Sequence, residues 1–216
     1  LRVRTATLVA WRLAMSDDDQ LFRAWQAGDA AAGQALVERH YDAVVRFFRS
    51  KAGAEAHDLV QRTFLACAEA RDRYRGDGSF RAFLFGIARN LLFEHIRGRV
   101  RDQRFDPDLS VRSIREMLPG VSTIMAERAE QLLLLEALQR IPVDLQILLE
   151  LYYWEDLGVG EVASVVGVPA GTVKSRLHRA RALLREAMSA VPASPEAQDS
   201  VRRMLDAWAA QPVTPT

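Results

Sequence analysis

The stretch that most constrains this chain is Gly158–Arg185, GVGEVASVVGVPAGTVKSRLHRARALLR. It reads as two short helices about a turn. Val162, Ala163, Val165 and Val166 give the first an apolar face, Gly167 breaks it, and Val168-Pro169 carries the chain round. Thr172, Val173, Leu177, Ala180 and Leu184 then recur at helical spacing, completing a helix-turn-helix pattern. The opposite face carries Lys174, Ser175, Arg176, His178, Arg179, Arg181 and Arg185. A helix in a DNA major groove needs such cations for phosphates and such side chains for base edges. A basic face alone could equally be solvated; the turn residues and the apolar spine favour nucleic acid.

The 216 residues allow one large domain or two small ones. Lys+Arg number 29 against 28 Asp+Glu, so the chain is no polybasic coat. Its charge is segregated instead: arginines crowd residues 71–104, and acids gather at Asp17, Asp18 and Asp19. That distribution suits two separate nucleic-acid contacts. Cys67 is the only cysteine, which excludes an internal disulfide and a cysteine-rich zinc site and fits a reducing cytoplasm. No apolar run reaches the roughly 20 residues that span a bilayer. Arg12 interrupts the apolar residues of 1–15, so we read no signal peptide there. Met15 with SDDDQL after it resembles a natural start, which makes residues 1–14 an extension or an expression remnant. Residues 1–15 are expected to be poorly ordered.

From Ser16 onward the pattern is helical. Ser16 and Asp19 suggest a capping box, with Leu21, Phe22 and Trp25 inward. A second helix over 30–50 buries Leu36, Val37, His40, Tyr41, Val44, Phe47 and Phe48. His40 lacks partners at ligand spacing and reads as a satisfied core histidine. A third helix, 55–71, turns Val60, Phe64 and Cys67 inward, and Asp58, Gln61 and Arg62 outward. After a loop marked by Gly76 and Gly78, Ser79 can cap a helix over 80–97 that buries Phe83, Leu84, Ile87 and Leu91. An aromatic, basic loop beside a basic helix can hold unstacked bases, though composition alone suits an ordinary helix connection.

The recognition-helix words PAGTVKSRLHRARALLRE closely resemble the DNA-reading helix of sigma-70 family transcription initiation factors, in particular the extracytoplasmic-function (ECF) group. AGD at 27–29, DLVQRTF at 58–64 and RYRGDGSFRAFLFGIARNLLFEHIR at 73–97 resemble that group's promoter-melting domain. LQRIPVDLQILLELYYWEDL resembles the opening helices of its −35-binding domain. The resemblance implies that Asp58, Leu59, Gln61, Arg62 and Phe64 lie at or behind a contact with the clamp coiled coil of core RNA polymerase. Arg62 departs from the family, which usually has Glu there. Tyr74, Arg75, Ser79, Phe80, Arg81, Arg89 and Asn90 would lie at or near melted −10 DNA. Thr172, Lys174, Ser175, Arg176, His178, Arg179 and Arg181 would meet the −35 duplex.

The expected fold is all-α: two small helical domains joined by a flexible linker, the second a helix-turn-helix domain. We expect a region 2-like domain over 16–98, a linker over 99–126 with a brief helix at Ile114, Met117 and Leu118, and a region 4-like domain over 127–190. Leu132, Leu135, Leu138 and Ile141 are expected to face inward at its start. A C-terminal extension over 191–216 starts a helix at Ser194-Pro195, with Val201, Met204, Leu205 and Trp208 as its stripe. It either packs on the chain's own DNA-binding domain, or masks a polymerase- or DNA-binding surface, or docks a regulator.

The implied partners are core RNA polymerase through its clamp and flap, promoter DNA, and an anti-sigma protein. Neither membrane insertion, a cofactor nor a metal is expected, and the protein would work in the cytoplasm, associated with the nucleoid. The alternative is a free-standing helix-turn-helix regulator that binds operators without polymerase. An enzyme is disfavoured, because no second carboxylate cluster, Gly-rich phosphate loop or nucleophile–base pairing accompanies Asp17–Asp19.

Overall fold

Asp29 fixes the start of the longest helix. In the computed structural model its backbone is extended, and its carboxylate accepts the N–H groups of Ala31 and Ala32. Residues 17–74, 78–100, 111–118 and 128–210 are described. The expectations for residues 1–15, for the Ser16 cap, for Arg75 and for most of the linker lie outside them.

The first domain comprises α1 (residues 17–26), α2 (Ala30–Ala52), α3 (Ala56–Ala70) and α4 (Phe80–Val100). Phe22, Leu36, Phe48, Leu59, Leu84 and Ile96 are buried at its centre. Gly33 lets α1 approach α2: a Cβ there would stand 2.4 Å from the Trp25 ring nitrogen. The Asp17–Asp19 run is spent on packing. Asp17 and Asp18 pair with Arg39, Asp18 also meets His40 Nε2 at 2.9 Å, and Asp19 accepts the Phe80 N–H at 3.0 Å. His40 is thus the buried, satisfied histidine that its sequence position predicts. Ser79 caps α4 by accepting the Ala82 N–H at 3.2 Å.

The second domain comprises α6 (Ala129–Leu138), α7 (Val143–Tyr153), α8 (Val159–Val166) and α9 (Ala170–Ser189), with the short α5 (Ile114–Met117) packed against it from the linker and α10 (Pro195–Ala209) from the C-terminal extension. The brief linker helix is present as α5, started by a capping box between Ser113 and Glu116. Ser113 bridges antiparallel to Pro142, and the Arg115 N–H donates to Gln139 O at 3.0 Å, which fastens α5 to the turn before α7. In the turn between α8 and α9, Gly167 adopts φ 72°, ψ 36°, the left-handed cap that glycine takes without a Cβ penalty. Among the described residues there is no strand, and the fold is all-α with two helical domains.

Two inward assignments are corrected. Tyr41 is 37% exposed and stacks on Phe64 at the surface, and Leu132 is 39% exposed. Leu132–Leu135 are four consecutive leucines, so no single face of α6 is marked by its sequence. The two domains also touch: α4 packs directly on α8.

Candidate nucleic-acid interface

The recognition helix α9 divides its polar side chains sharply. Val173, Leu177, Ala180 and Leu184 anchor it in the core. Lys174, Ser175, His178 and Arg179 are exposed, with Thr172 and Arg176 at the flank. Among the described residues no carboxylate pairs with Lys174, Arg176, His178 or Arg179. Arg181 is different. It is 8% exposed, and its Nη1 donates to Tyr153 Oη at 2.7 Å and to Trp208 O at 3.5 Å. Arg185 pairs with Asp206 at 2.7 Å. The C-terminal helix α10 thus packs on the helix-turn-helix domain and holds two arginines of α9. The expectation that Arg181 meets DNA is corrected accordingly.

At the start of α4 the residues expected near melted DNA also separate. The Tyr74 hydroxyl donates to Gly78 O at 2.7 Å, and its ring lies 4.5 Å from Phe83. Asn90 is exposed. Phe80 is core, 5.0 Å from the Phe22 ring and 5.4 Å from His40, which removes it from base contact. Ser79, Arg81 and Arg89 face the second domain. Ser79 donates to Glu161, Arg81 donates to the Glu155 carbonyl and lies 3.7 Å from its carboxylate, and Arg89 meets Asp144 at 3.1 Å while lying over the Phe93 ring. Arg81 is only 3% exposed, so in this arrangement it has no free surface to offer a DNA strand.

The outward face of α3 is open. Asp58, Gln61 and Arg62 are exposed, Leu59 is buried behind them, and Phe64 is half-buried. Arg62, the family departure, lies between Asp58 at 3.9 Å and Glu94 at 3.6 Å. Leu65, 61% exposed, and Tyr41 extend this face with apolar surface that the sequence reading missed. Leu65 was discoverable as an apolar residue off the buried stripe of Val60 and Cys67.

Sigma-70 region 2 matches residues 36–102, and sigma-70 region 4 matches residues 131–184. The chain is 31% identical over 189 residues to the RNA polymerase sigma-H factor of Pseudomonas aeruginosa, covering 82% of this chain and 96% of that protein. It is 29% identical over 174 residues to the ECF RNA polymerase sigma-E factor of Escherichia coli K12, covering 76% and 90%. The chain belongs to the ECF group of the sigma-70 family. Sigma factors are non-enzymatic initiation factors, so this one binds core RNA polymerase and directs it to promoters, in the cytoplasm where polymerase works. Among solved structures, CnrH in complex with the cytosolic domain of CnrY is similar, with a TM-score of 0.58 and 27% identity, over 81% of this chain and 99% of that one. The sigma factor RpoE of Bartonella quintana, solved with the anti-sigma factor NepR, shares the fold at a TM-score of 0.56 and 22% identity, over 72% and 96%.

Within this sigma factor two of the ionic contacts between domains, those of Lys51 and Arg81, are made by buried cations, whereas Arg46 meets Glu155 from the surface. Lys51 is 0% exposed; its ammonium donates to Phe47 O, to Ser50 Oγ and to Glu150 across the domain boundary. Burial pushes that ammonium pKa down, against the opposing pull of Glu150. Gln139 donates to Ser50 O at 2.8 Å, and Gln146 to Ser50 Oγ at 3.1 Å. No helix among the described residues is long and apolar enough to cross a membrane.

Proposed function

We propose that α9 reads the −35 duplex through Lys174, Ser175, Arg176, His178 and Arg179, with Thr172 at its start. The observation that carries this reading is the unpaired state of the three cations Lys174, Arg176 and Arg179, with His178 exposed beside them, on a helix whose other arginines are tied to α10. Phosphate neutralisation needs cations that are not already spent. In this reading Asp58, Gln61, Arg62 and Phe64, joined by Tyr41 and Leu65, face the polymerase clamp with Leu59 behind them, and region 4 meets the flap. Tyr74, Arg75, Ser79, Arg81, Arg89 and Asn90 capture the melted −10 strand, with Phe80 as the core support beneath.

The domain limits follow the same reading: 16–98 for polymerase and −10 DNA, 99–126 for the linker, 127–190 for −35 DNA, and 191–216 for the extension. The protein works at the nucleoid, and an anti-sigma protein holds it inactive; the solved complexes of CnrH and RpoE support that last partner.

The test is run-off transcription with sigma-free core polymerase on the DNA upstream of this protein's own gene, paired with duplex binding over a salt series. A transcript that depends on the protein, and weaker −35 binding by Arg176→Ala, are expected. Unchanged affinity of Arg176→Ala at every salt concentration would remove that residue from the reader.

A further inference from the structure

Helix α1 precedes the residues that region 2 matches, 36–102, yet it holds both ends of the connection between α3 and α4. At the near end Gln26 Nε2 donates to Arg71 O at 2.7 Å and reaches Tyr74 O at 3.4 Å. At the far end Asp19 Oδ1 accepts the Phe80 N–H at 3.0 Å. The first turn of α4 is thus capped from two sides, by Asp19 at Phe80 and by Ser79 at Ala82. Between the two ends the Phe22 ring stands 5.4 Å from Tyr74, 5.0 Å from Phe80 and 5.7 Å from Phe83. Asp19, Phe22 and Gln26 follow an i, i+3, i+7 spacing, so one stripe of α1 makes all of these contacts.

We propose that Gln26 and Asp19 are positioning residues for −10 capture. Acting through the backbone at Arg71, Tyr74 and Phe80, they set where the Tyr74 ring and the start of α4 meet an unstacked base. This rests on the −10 assignment made above. Unstacking is offset only by contacts that are in place when the base leaves the duplex. A segment fixed at both ends is ordered beforehand, whereas one fixed at neither must be ordered at the moment of capture. Neither Gln26 nor Asp19 has to touch DNA to exert this effect.

The experiment uses the full chain with core RNA polymerase, on the promoter from which the parent starts upstream of its own gene. The template is supplied in two forms, fully duplex and with mismatches that hold the −10 element open. Gln26→Glu keeps the size of the side chain and removes its donor. Asp19→Ala removes the acceptor, and Asp19→Asn keeps it, because an amide oxygen also accepts.

Gln26→Glu and Asp19→Ala should each give about tenfold fewer transcripts than the parent from the duplex, the order of effect of one lost hydrogen bond. On the open template they should come within about twofold of the parent. Asp19→Asn should stay near the parent on both, and co-elution with core should be unchanged throughout. Equal losses on both templates would make α1 a structural support only and overturn the proposal. Asp19→Asn falling as far as Asp19→Ala would reject the Phe80 cap as the cause. Parent-level transcription from the duplex by both Gln26→Glu and Asp19→Ala would also overturn it. In that last case the exposed Asn90 separates the causes. A loss of duplex transcription in Asn90→Ala keeps the −10 assignment and rejects only the positioning, whereas no loss rejects both.

Discussion

Tyr153 at the end of α7 and Trp208 near the end of α10 stack with ring centroids 4.1 Å apart and planes 8° from parallel. Arg181 of the recognition helix reaches both, through the Tyr153 hydroxyl and the Trp208 carbonyl. Leu205 and Val201, one and two turns earlier on α10, are buried beneath. The C-terminal helix is therefore part of the wall that supports the DNA reader.

Trp208→Ala should destabilise the second domain by about 2 kcal/mol, since it removes the stacked pair and part of the apolar seat of α10. Urea unfolding followed by far-UV circular dichroism should show a lower midpoint with an unchanged slope. An unchanged midpoint would mean that α10 adds nothing to the domain it covers.

Arg179 and Arg181, two positions apart on α9, should behave as opposites. Arg179→Ala should weaken −35 duplex binding and lower the slope of log affinity against log salt by about 1, as expected for one lost phosphate contact. Arg181→Ala should leave that slope alone and instead cost about 2 kcal/mol of stability, through loss of a buried charged hydrogen bond. A salt slope that falls in Arg181→Ala would place this side chain at DNA despite its partners.

Asp18 should make stability depend on acid. Burial by itself would raise its carboxyl, but the His40 hydrogen bond and charge, together with Arg39, outweigh burial and hold it below its ordinary value of 3.8. A depressed folded pKa gives stability that is fully present above the unfolded value and is lost as pH falls through the folded one. Asp18→Asn should therefore cost about 2 kcal/mol at neutral pH. Below about pH 4 the gap to the parent should narrow. Thermal melts across pH 2–7 measure this, and a constant gap would refute it.

Cys67 should be inert. Burial pushes its thiol up to about 12, so almost no thiolate exists at neutral pH. Ellman's reagent should leave the native protein unmodified and titrate one thiol in urea; rapid modification of the native protein would contradict the packing of α3.

The helix-turn-helix was legible because its information is local: Gly167 supplies the turn, and Val173, Leu177 and Leu184 supply the spine. The Asp29 cap and the Ser194-Pro195 start are equally local signals. Helix α4 was harder. Its sequence suggested Phe83, Leu84, Ile87 and Leu91 as the inner stripe; Leu84 is fully buried, as are Ala88 and Leu92, but Phe83, Ile87 and Leu91 are only half-buried. A helix packed by its own domain on one side and by α8 on another carries apolar residues on more than one face, so period alone does not choose between them. The fates of Arg81 and Arg181 were not legible. Each is decided by a partner far along the chain, Glu155 for one and Tyr153 with Trp208 for the other, and nothing beside either arginine announces it.

The fastening of α5 to the turn before α7 has a consequence for how the two domains meet. With Ser113 and Arg115 held at Pro142 and Gln139, only the eleven residue steps from Val100 to Val111 join the domains, a leash that reaches at most about 38 Å. Each domain then samples the other at an effective concentration in the millimolar range. Interdomain contacts too weak to bring separate proteins together can hold here, and freeing α5 would lengthen the leash and dilute one domain with respect to the other.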